Sequence, residues 1–98
     1  KPFLYYAKAM NYVTVFDGRV EGAPSRERYD GLAAIIIEYC NEVPKSLEQI
    51  RETAKAQGFV ADDEKVFEDA LAVLLSQRIL YTEKDKFFTL AIPVNPRL

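Results

Sequence analysis

The spacing of apolar positions changes along the chain, and each change predicts a new element. Tyr12–Phe16 is a run of β-branched and aromatic residues, which is typical of a strand. Asp17-Gly18 follows at once and suits a type I′ turn, because both residue types tolerate positive φ. Arg19–Glu21 can then return as a short second strand, which Pro24 ends because proline cannot donate to a ladder. This segment therefore predicts an N-terminal hairpin.

Helical spacing follows the predicted hairpin. Ser25 provides a hydroxyl N-cap before a charged first turn, and the helix that it opens ends near Asn41, ahead of Pro44. A second, shorter helix begins at Ser46, with Gln49 at the capping-box spacing. The residues expected on the buried faces of these two helices are Tyr29, Leu32, Ala33, Ile36, Ile37 and Cys40 in the first and Leu47, Ile50 and Ala54 in the second.

Gly58 lies where a helix C-terminus favours glycine, so the second helix is expected to end there, with Phe59 and Val60 covering the core beyond it. Asp62 or Asp63 caps a third and longer helix, which runs to about Gln77 or Ile79. Its expected apolar face is wide and comprises Val66, Phe67, Ala70, Leu71, Val73 and Leu74.

A second hairpin is predicted at the C-terminal end. Ile79–Thr82 and Phe87–Ile92 are rich in β-forming residues and flank the four-residue polar tip Glu83–Lys86. Pro93 and Pro96 are expected to prevent further regular structure. The order hairpin, helix, short helix, long helix, hairpin predicts an α+β, winged-helix-like fold with a three-helix core and hairpins at both ends. Residues 12–93 form this predicted domain, residues 1–11 a linker or a packed N-terminal extension, and residues 94–98 a tail.

Composition limits the classes of function. The chain has 98 residues, no histidine, one cysteine and a formal net charge of -2. Histidine catalysis, an intrachain disulfide and the usual zinc-ligand sets are therefore excluded. No run of about 18 apolar residues occurs, so no membrane span is expected. One free cysteine and the lack of a signal-peptide pattern indicate a cytoplasmic domain, and the start at Lys1-Pro2 indicates a piece of a longer protein.

Few residues are candidates for chemistry. Glu64, Glu68 and Asp69 share one side of the third helix and can in principle hold a divalent cation, but a solvated helix face is favoured without a pocket or a histidine. Cys40 lies on the apolar stripe of the first helix, where core packing is favoured over a nucleophilic role. We therefore predict no catalytic, cofactor-binding or metal-binding residue in this chain.

DNA binding is the usual role of a winged helix, with the third helix in the major groove. Residues 62–79 carry five carboxylates against two basic side chains, and the predicted tip Glu83–Lys86 has no net charge. Non-specific DNA affinity comes mainly from neutralising phosphates, so this surface lacks the dominant contribution. A DNA-binding domain of a transcriptional regulator stays open as the alternative, because a partner subunit can supply further contacts.

Aromatic residues are numerous, with six tyrosines and six phenylalanines. Side chains alternate along a strand, so one of the adjacent Phe87 and Phe88 must face away from the core, and the first strand must expose a face if Val13 and Val15 point inward. An exposed aromatic row favours a partner surface, or a surface that other parts of a longer chain cover. The candidate interaction surface comprises Tyr12, Thr14, Phe16, Phe87 and Phe88.

Lys86–Pro96, together with Phe16–Arg19 and Lys45–Ile50, resembles part of the C-terminal domain of cobalamin-binding radical SAM enzymes. This family includes peptide-maturation methyltransferases and magnesium-protoporphyrin monomethyl ester cyclases. The resemblance covers residues 12 to 96. It implies a parent enzyme that uses a [4Fe–4S] cluster, S-adenosylmethionine and cobalamin in domains N-terminal to this one.

The resemblance carries no catalytic residue to this chain, since a cluster needs several cysteine thiolates and the chain has a single cysteine. It implies a non-catalytic accessory domain that contacts the upstream catalytic domains or a peptide substrate. Related small winged-helix modules of peptide-modifying enzymes hold a leader peptide by strand addition at a sheet edge, and the two hairpins predicted here leave such edges. A stand-alone enzyme is the least favoured class, for want of a nucleophile–base pair.

Overall fold

The computed structural model describes residues 1–59 and 64–94, which form an α+β arrangement of three helices and seven strands. The α+β class is as predicted. The helices are α1 (Gly31–Tyr39), α2 (Leu47–Ala56) and α3 (Glu64–Ser76). The strands are β1 (Leu4–Lys8), β2 (Tyr12–Asp17), β3 (Ser25–Asp30), β4 (Lys45–Ser46), β5 (Leu80–Glu83), β6 (Lys86–Thr89) and β7 (Ile92–Pro93).

The N-terminal sheet has the strand order β3-β2-β1-β7 among the described strands. β2 is antiparallel to both of its neighbours, with Val15 opposite Tyr6 of β1 and Val13 opposite Tyr29 of β3. These four side chains are buried on the face of the sheet toward the helices. β7 lies parallel to β1 at the far edge.

Two predictions for the N-terminal third are wrong. The strand over Tyr12–Phe16 forms, but its hairpin return is Ser25–Asp30 and not Arg19–Glu21, so Ser25 opens a strand and not a helix. Of the two alternatives predicted for residues 1–11, a linker or a packed extension, the structure has these residues packed on the domain, where they contribute β1 to the middle of the sheet. The charged stretch of β3 forms a strand because pairing with β2 outweighs its weak local preference, and charges are well tolerated on an edge strand.

α1 joins the two halves of the molecule. It packs against β2 and β3 of the N-terminal sheet and against α2, α3 and β6 on its other side. The second sheet has the order β4-β6-β5 among the described strands, with β6 antiparallel to both neighbours. The core therefore runs continuously from one sheet through α1 to the other.

The predicted ends of α2 are confirmed. The Ser46 hydroxyl accepts a hydrogen bond from the Gln49 backbone N–H (3.1 Å), and the Gln49 side chain accepts one from the Ser46 N–H (2.9 Å), which completes a capping box. Gly58 has φ +96° just beyond the helix. The predicted caps of α3, Asp62 and Asp63, lie outside the described residues, as does Val60. None of the helices in the described ranges has the length and apolar character that crossing a bilayer requires.

The predicted buried faces of the helices are too wide in places. In α3, Phe67, Leu71 and Leu74 are buried, whereas Val66 and Val73 are 52% and 46% exposed. α3 packs mainly against α1 and β5, so a narrow stripe is enough to cover its contacts. Similar differences occur at the margins of the other predicted faces. In α1, Ala34 is buried and Ala33 is not, and Tyr29 is buried but belongs to β3. Leu47 and Phe59 are partly exposed.

The C-terminal hairpin forms with a shorter tip than predicted. Glu83 and Lys86 are paired in the ladder, so the turn consists of Lys84 and Asp85 alone, with φ of 54° and 64°. Pro93 does not end regular structure: it lies in β7 beside β1, and the next backbone N–H, that of Val94, donates to the Tyr6 carbonyl (2.8 Å). Proline is tolerated here because the strand lies at a sheet edge.

Candidate interaction surfaces

Tyr12, Thr14 and Phe16 lie on the face of the N-terminal sheet that points away from α1. They alternate with the buried Val13 and Val15, whose inward orientation is confirmed. All three side chains are half-buried, so this face is accessible without being fully open. We refer to it as the outer sheet face.

The strand register adds further side chains to the outer sheet face. Phe16 lies between Tyr5 of β1 and Arg26 of β3, and Thr14 lies between Ala7 and Arg28. Phe3 stacks on Tyr5 with ring centroids 5.5 Å apart, and the Arg28 guanidinium lies 3.8 Å from the centroid of the Tyr12 ring. The predicted surface did not include the residues from β1 and β3. In β1 the burial of side chains alternates, with Tyr6 buried and Tyr5 exposed, and the aromatic residues of Leu4–Lys8 were the available signal for a strand.

The free side of β3 is an open backbone edge. No described strand pairs with it there, and among the described residues its side chains other than Tyr29 are exposed. Arg26, Glu27, Arg28 and Asp30 place alternating charges along it, with an ion pair of 2.9 Å between Arg28 and Asp30. The opposite edge of the sheet is β7, which has two residues including a proline. Strand addition to this sheet is therefore better accommodated at β3.

Contacts with the C-terminal end of α3 hold β3 and its preceding loop in place. The Arg19 guanidinium bonds both carboxylate oxygens of Asp17 (2.9 and 2.8 Å) and donates to the carbonyls of Gln77 (3.0 Å) and Arg78 (2.7 Å). The Tyr29 hydroxyl donates to the Gln77 side-chain oxygen. The side-chain hydrogen bond from Arg19 lowers the pKa of Asp17, and burial raises the pKa of Tyr29. The β3 edge is thus fixed relative to the helices.

Phe87 and Phe88 separate onto opposite faces of the C-terminal sheet. Phe87 packs against the core, so its place in the predicted interaction surface is wrong, and Phe88 takes the outward position. Phe88 meets Tyr81 edge to face, with ring centroids 6.3 Å apart and planes at 73°. The predicted surface is therefore two surfaces: Tyr12, Thr14 and Phe16 on one sheet, and Phe88 on the other.

Carboxylates on the outer side of α3 form ion pairs with basic side chains of the same molecule. Glu64 bonds Arg51 of α2, whose guanidinium also lies 5.0 Å from the centroid of the Phe67 ring. Lys65 pairs with Asp69 at 3.5 Å, one turn further along α3. Both cations are therefore partly neutralised by carboxylates of α3 itself.

Cys40 is fully buried at the end of α1, as predicted for a core residue. Burial raises the pKa of its thiol to about 11, which leaves it protonated and unreactive near neutral pH. Glu64, Glu68 and Asp69 do not converge, and within the described ranges no set of three acidic or cysteine side chains is arranged to hold a metal ion.

A cleft of about 620 Å³ lies between the β1–β2 connection and α1. Met10, Ile35, Tyr39 and Phe59 provide apolar lining, with Glu38 at its wall. Glu38 also lies close to the buried Tyr6, and burial together with Glu38 raises the pKa of the Tyr6 hydroxyl. The described residues that line the cleft include no paired nucleophile and base.

Comparison of the chain with protein-family models, with curated proteins and with solved structures found no match.

Proposed function

We propose that this chain is a winged-helix-like module that binds polypeptide, and that it serves as the non-catalytic C-terminal accessory domain of a cobalamin-dependent radical SAM enzyme. The order α1, β4, α2, α3, β5, β6, with β6 between β4 and β5, supports a winged helix whose wing is the C-terminal hairpin. The resemblance of residues 12 to 96 supports the parent enzyme. In this role the domain contacts the upstream catalytic domains or a peptide substrate in the cytoplasm.

The observation that carries the proposal is the open edge of β3 beside an aromatic face. An added strand satisfies the free N–H and C=O groups of the edge, and its alternate side chains lie beside those of β3. Arg26 and Arg28 on the outer sheet face favour acidic partners at alternate positions, Arg28 less strongly because Asp30 on the same face already pairs with it. Glu27, on the other face, favours a basic residue between them. The edge therefore selects a strand of alternating charge.

A role in DNA binding has less support from the surface of α3. Carboxylates of α3 form ion pairs with Arg51 and Lys65, and Glu68 adds a further exposed negative charge. A helix with this surface offers little to neutralise phosphates.

The cofactors of the proposed parent enzyme belong to its other domains. A [4Fe–4S] cluster requires several thiolates, and the sole cysteine of this chain is buried with a raised pKa. The residues here do not fit such a cluster. A three-cysteine cluster motif N-terminal to residue 1 in the full-length protein would support the parent enzyme directly.

Binding at β3 is tested by NMR titration of the ¹⁵N-labelled chain with a short synthetic peptide that alternates glutamate with valine and carries one central lysine. We expect amide shifts along Ser25–Asp30 and Tyr12–Asp17. The Arg26→Glu variant should weaken binding about five- to tenfold, as expected for reversing one partly exposed charge contact. A peptide with the glutamates replaced by lysine should then bind the variant better than it binds the original chain.

Two controls separate strand addition from other binding. N-methylating the peptide at alternate positions should abolish binding in one of the two possible sets, because only one set faces the β3 edge. Lys86→Gln, on the other sheet, should leave the peptide-induced shifts along Ser25–Asp30 and Tyr12–Asp17 unchanged. Absence of shifts along β3, with either this peptide or the upstream catalytic fragment, would count against the proposal, and so would tight, salt-sensitive binding of a random DNA duplex.

A further inference from the structure

The outward face of the C-terminal sheet carries an apolar groove of about 370 Å³, which we call the wing groove. Tyr81 and Phe88 form its floor as a directly paired cross-strand couple, and Pro44 borders it beside β4. Tyr81 is 47% exposed, although aromatic side chains gain most from burial. The groove lies on a rigid ladder, because β6 is hydrogen-bonded on both sides.

Positive charge borders the wing groove. Lys84 lies in the turn and Lys86 lies two residues from Phe88 on the same face of β6. Neither lysine forms an ion pair with another described residue, in contrast to Lys65. Glu83 lies opposite Lys86, and Asp85 shares the turn with Lys84, so the four-residue tip has no net charge. Of the charged side chains that line the groove itself, two are lysines and one is glutamate.

Building on the polypeptide-binding role above, we propose that the wing groove binds a second segment of partner polypeptide: an apolar or aromatic side chain flanked by aspartate or glutamate. The aromatic floor accommodates the apolar side chain, while the two unpaired ammonium groups attract the flanking carboxylates. The groove lies on the other sheet from the β3 edge, so the two surfaces can be occupied independently.

A peptide fits this surface better than a nucleic acid. Aromatic and cationic side chains also bind single strands, but they do so along a groove that neutralises successive phosphates. Glu83 lies within the border here, and the neighbouring α3 carries exposed carboxylates. One or two carboxylates of a peptide match the charge available.

The test uses fluorescence anisotropy with a labelled synthetic peptide that has one phenylalanine flanked on each side by two aspartates. Phe88→Ala should weaken binding at least about tenfold, as for loss of an aromatic anchor. Lys84→Asn and Lys86→Gln should each weaken it about two- to fivefold, as for rim charges. Neither lysine variant alters the core, and asparagine suits the positive φ of position 84, so these variants keep the test valid if Phe88→Ala unfolds.

Three comparisons test whether binding depends on the peptide's negative charge and on the wing groove rather than on the β3 edge. A peptide with lysines in place of the aspartates should not bind, and added salt should weaken the aspartate peptide. Arg26→Glu, which impairs the β3 edge, should leave this peptide's affinity unchanged. A labelled single-stranded oligonucleotide that binds more tightly than the peptide would overturn the proposal, as would an affinity insensitive to Phe88→Ala and to both lysine variants. The β3 titration can succeed or fail independently of these results.

Discussion

Thr89 connects the end of α1 to the C-terminal hairpin through two hydrogen bonds. Its hydroxyl donates to the Ile37 carbonyl (2.8 Å) and its backbone N–H donates to the Cys40 carbonyl (3.0 Å). Carbonyls at the end of a helix lack intrahelical partners, and Ile37 and Cys40 are fully buried, so Thr89 satisfies groups that water cannot reach. The side chain itself is buried although it is polar.

Replacing Thr89 by valine preserves its shape and removes the hydroxyl. We expect the free energy of unfolding to fall by about 1–2 kcal/mol, because the Ile37 carbonyl loses its donor in a buried site. Urea denaturation measures the change. Thr14→Val, on the outer sheet face, is the matched control and should alter stability by less than about 0.5 kcal/mol. Equal effects of the two substitutions would contradict the role given to Thr89.

Cys40 should make the free energy of unfolding decrease at alkaline pH. Burial raises the pKa of the thiol from 9.0 to about 11, so the unfolded chain loses this proton at lower pH than the folded chain does. The associated stability is complete below pH 9 and is lost as the pH rises toward 11. Cys40→Ala should show a shallower decline over this interval when denaturation curves are measured in steps of pH. Tyr6 and Tyr29 contribute in the same direction and remain in both proteins.

At the scale of residues, side-chain alternation along a strand predicted that one of two neighbouring aromatic residues is exposed, but not which one. It required one of Phe87 and Phe88 to face outward, but the choice depends on which face of β6 meets α1, and a strand segment does not contain that information. Cys40 was assignable as a core residue because its helical stripe is strongly apolar.

At the scale of elements, β3 is a segment whose local sequence favours a helix but whose pairing with β2 makes it a strand. Ser25–Arg28 has the features of a helix start, yet it pairs along its length with β2. The helix begins instead after Asp30, where Gly31 adopts a φ of 55°. Glycine adopts this conformation without strain, and the change of direction separates the strand from α1. The glycine in an otherwise helical pattern was the available signal.

The C-terminal turn is strained in a way that substitution can relieve. Lys84 and Asp85 both have positive φ, and asparagine followed by glycine is the pair that adopts this turn at the lowest cost. The double substitution Lys84→Asn with Asp85→Gly should raise the free energy of unfolding by about 1 kcal/mol and increase Tm by several degrees. Calorimetry provides the measurement. Asp85→Ala is the control and should give no gain, because alanine retains the strain.

At the scale of the whole molecule, several contacts attach the N-terminal sheet to the C-terminal elements, and two of them join it to the helices. One is the packing of α1 against both halves, and the other is the contact of Arg19 with the end of α3. The guanidinium meets carbonyls at the negative end of the helix dipole, so its charge is favourably placed. This contact closes the loop between β2 and β3 onto the helices.

Arg19→Gln removes these contacts and leaves Asp17 without its charged partner. We expect a loss of about 1–2 kcal/mol in the free energy of unfolding at neutral pH. The difference between the two proteins should shrink in acid, because the pKa of Asp17 is lowered in the folded state and its stabilisation is lost as the carboxylate is protonated. Arg26→Gln, which removes an exposed arginine, should change stability little. A loss that persists unchanged into strong acid would show that Asp17 is not involved.

The sequence alone determined the features that depend on neighbouring residues: the capping box of Ser46 and Gln49, the glycine end of α2, the amphipathic α3 and the C-terminal hairpin. Hydrogen bonds and side-chain spacing within a few residues decide these. Only the tertiary structure decided the N-terminal sheet, since the charged β3 becomes a strand by pairing along β2, and β7 pairs with β1 from the other end of the chain. The outer sheet face and the β3 edge follow from that pairing, which buries Tyr6, Val13, Val15 and Tyr29 against α1.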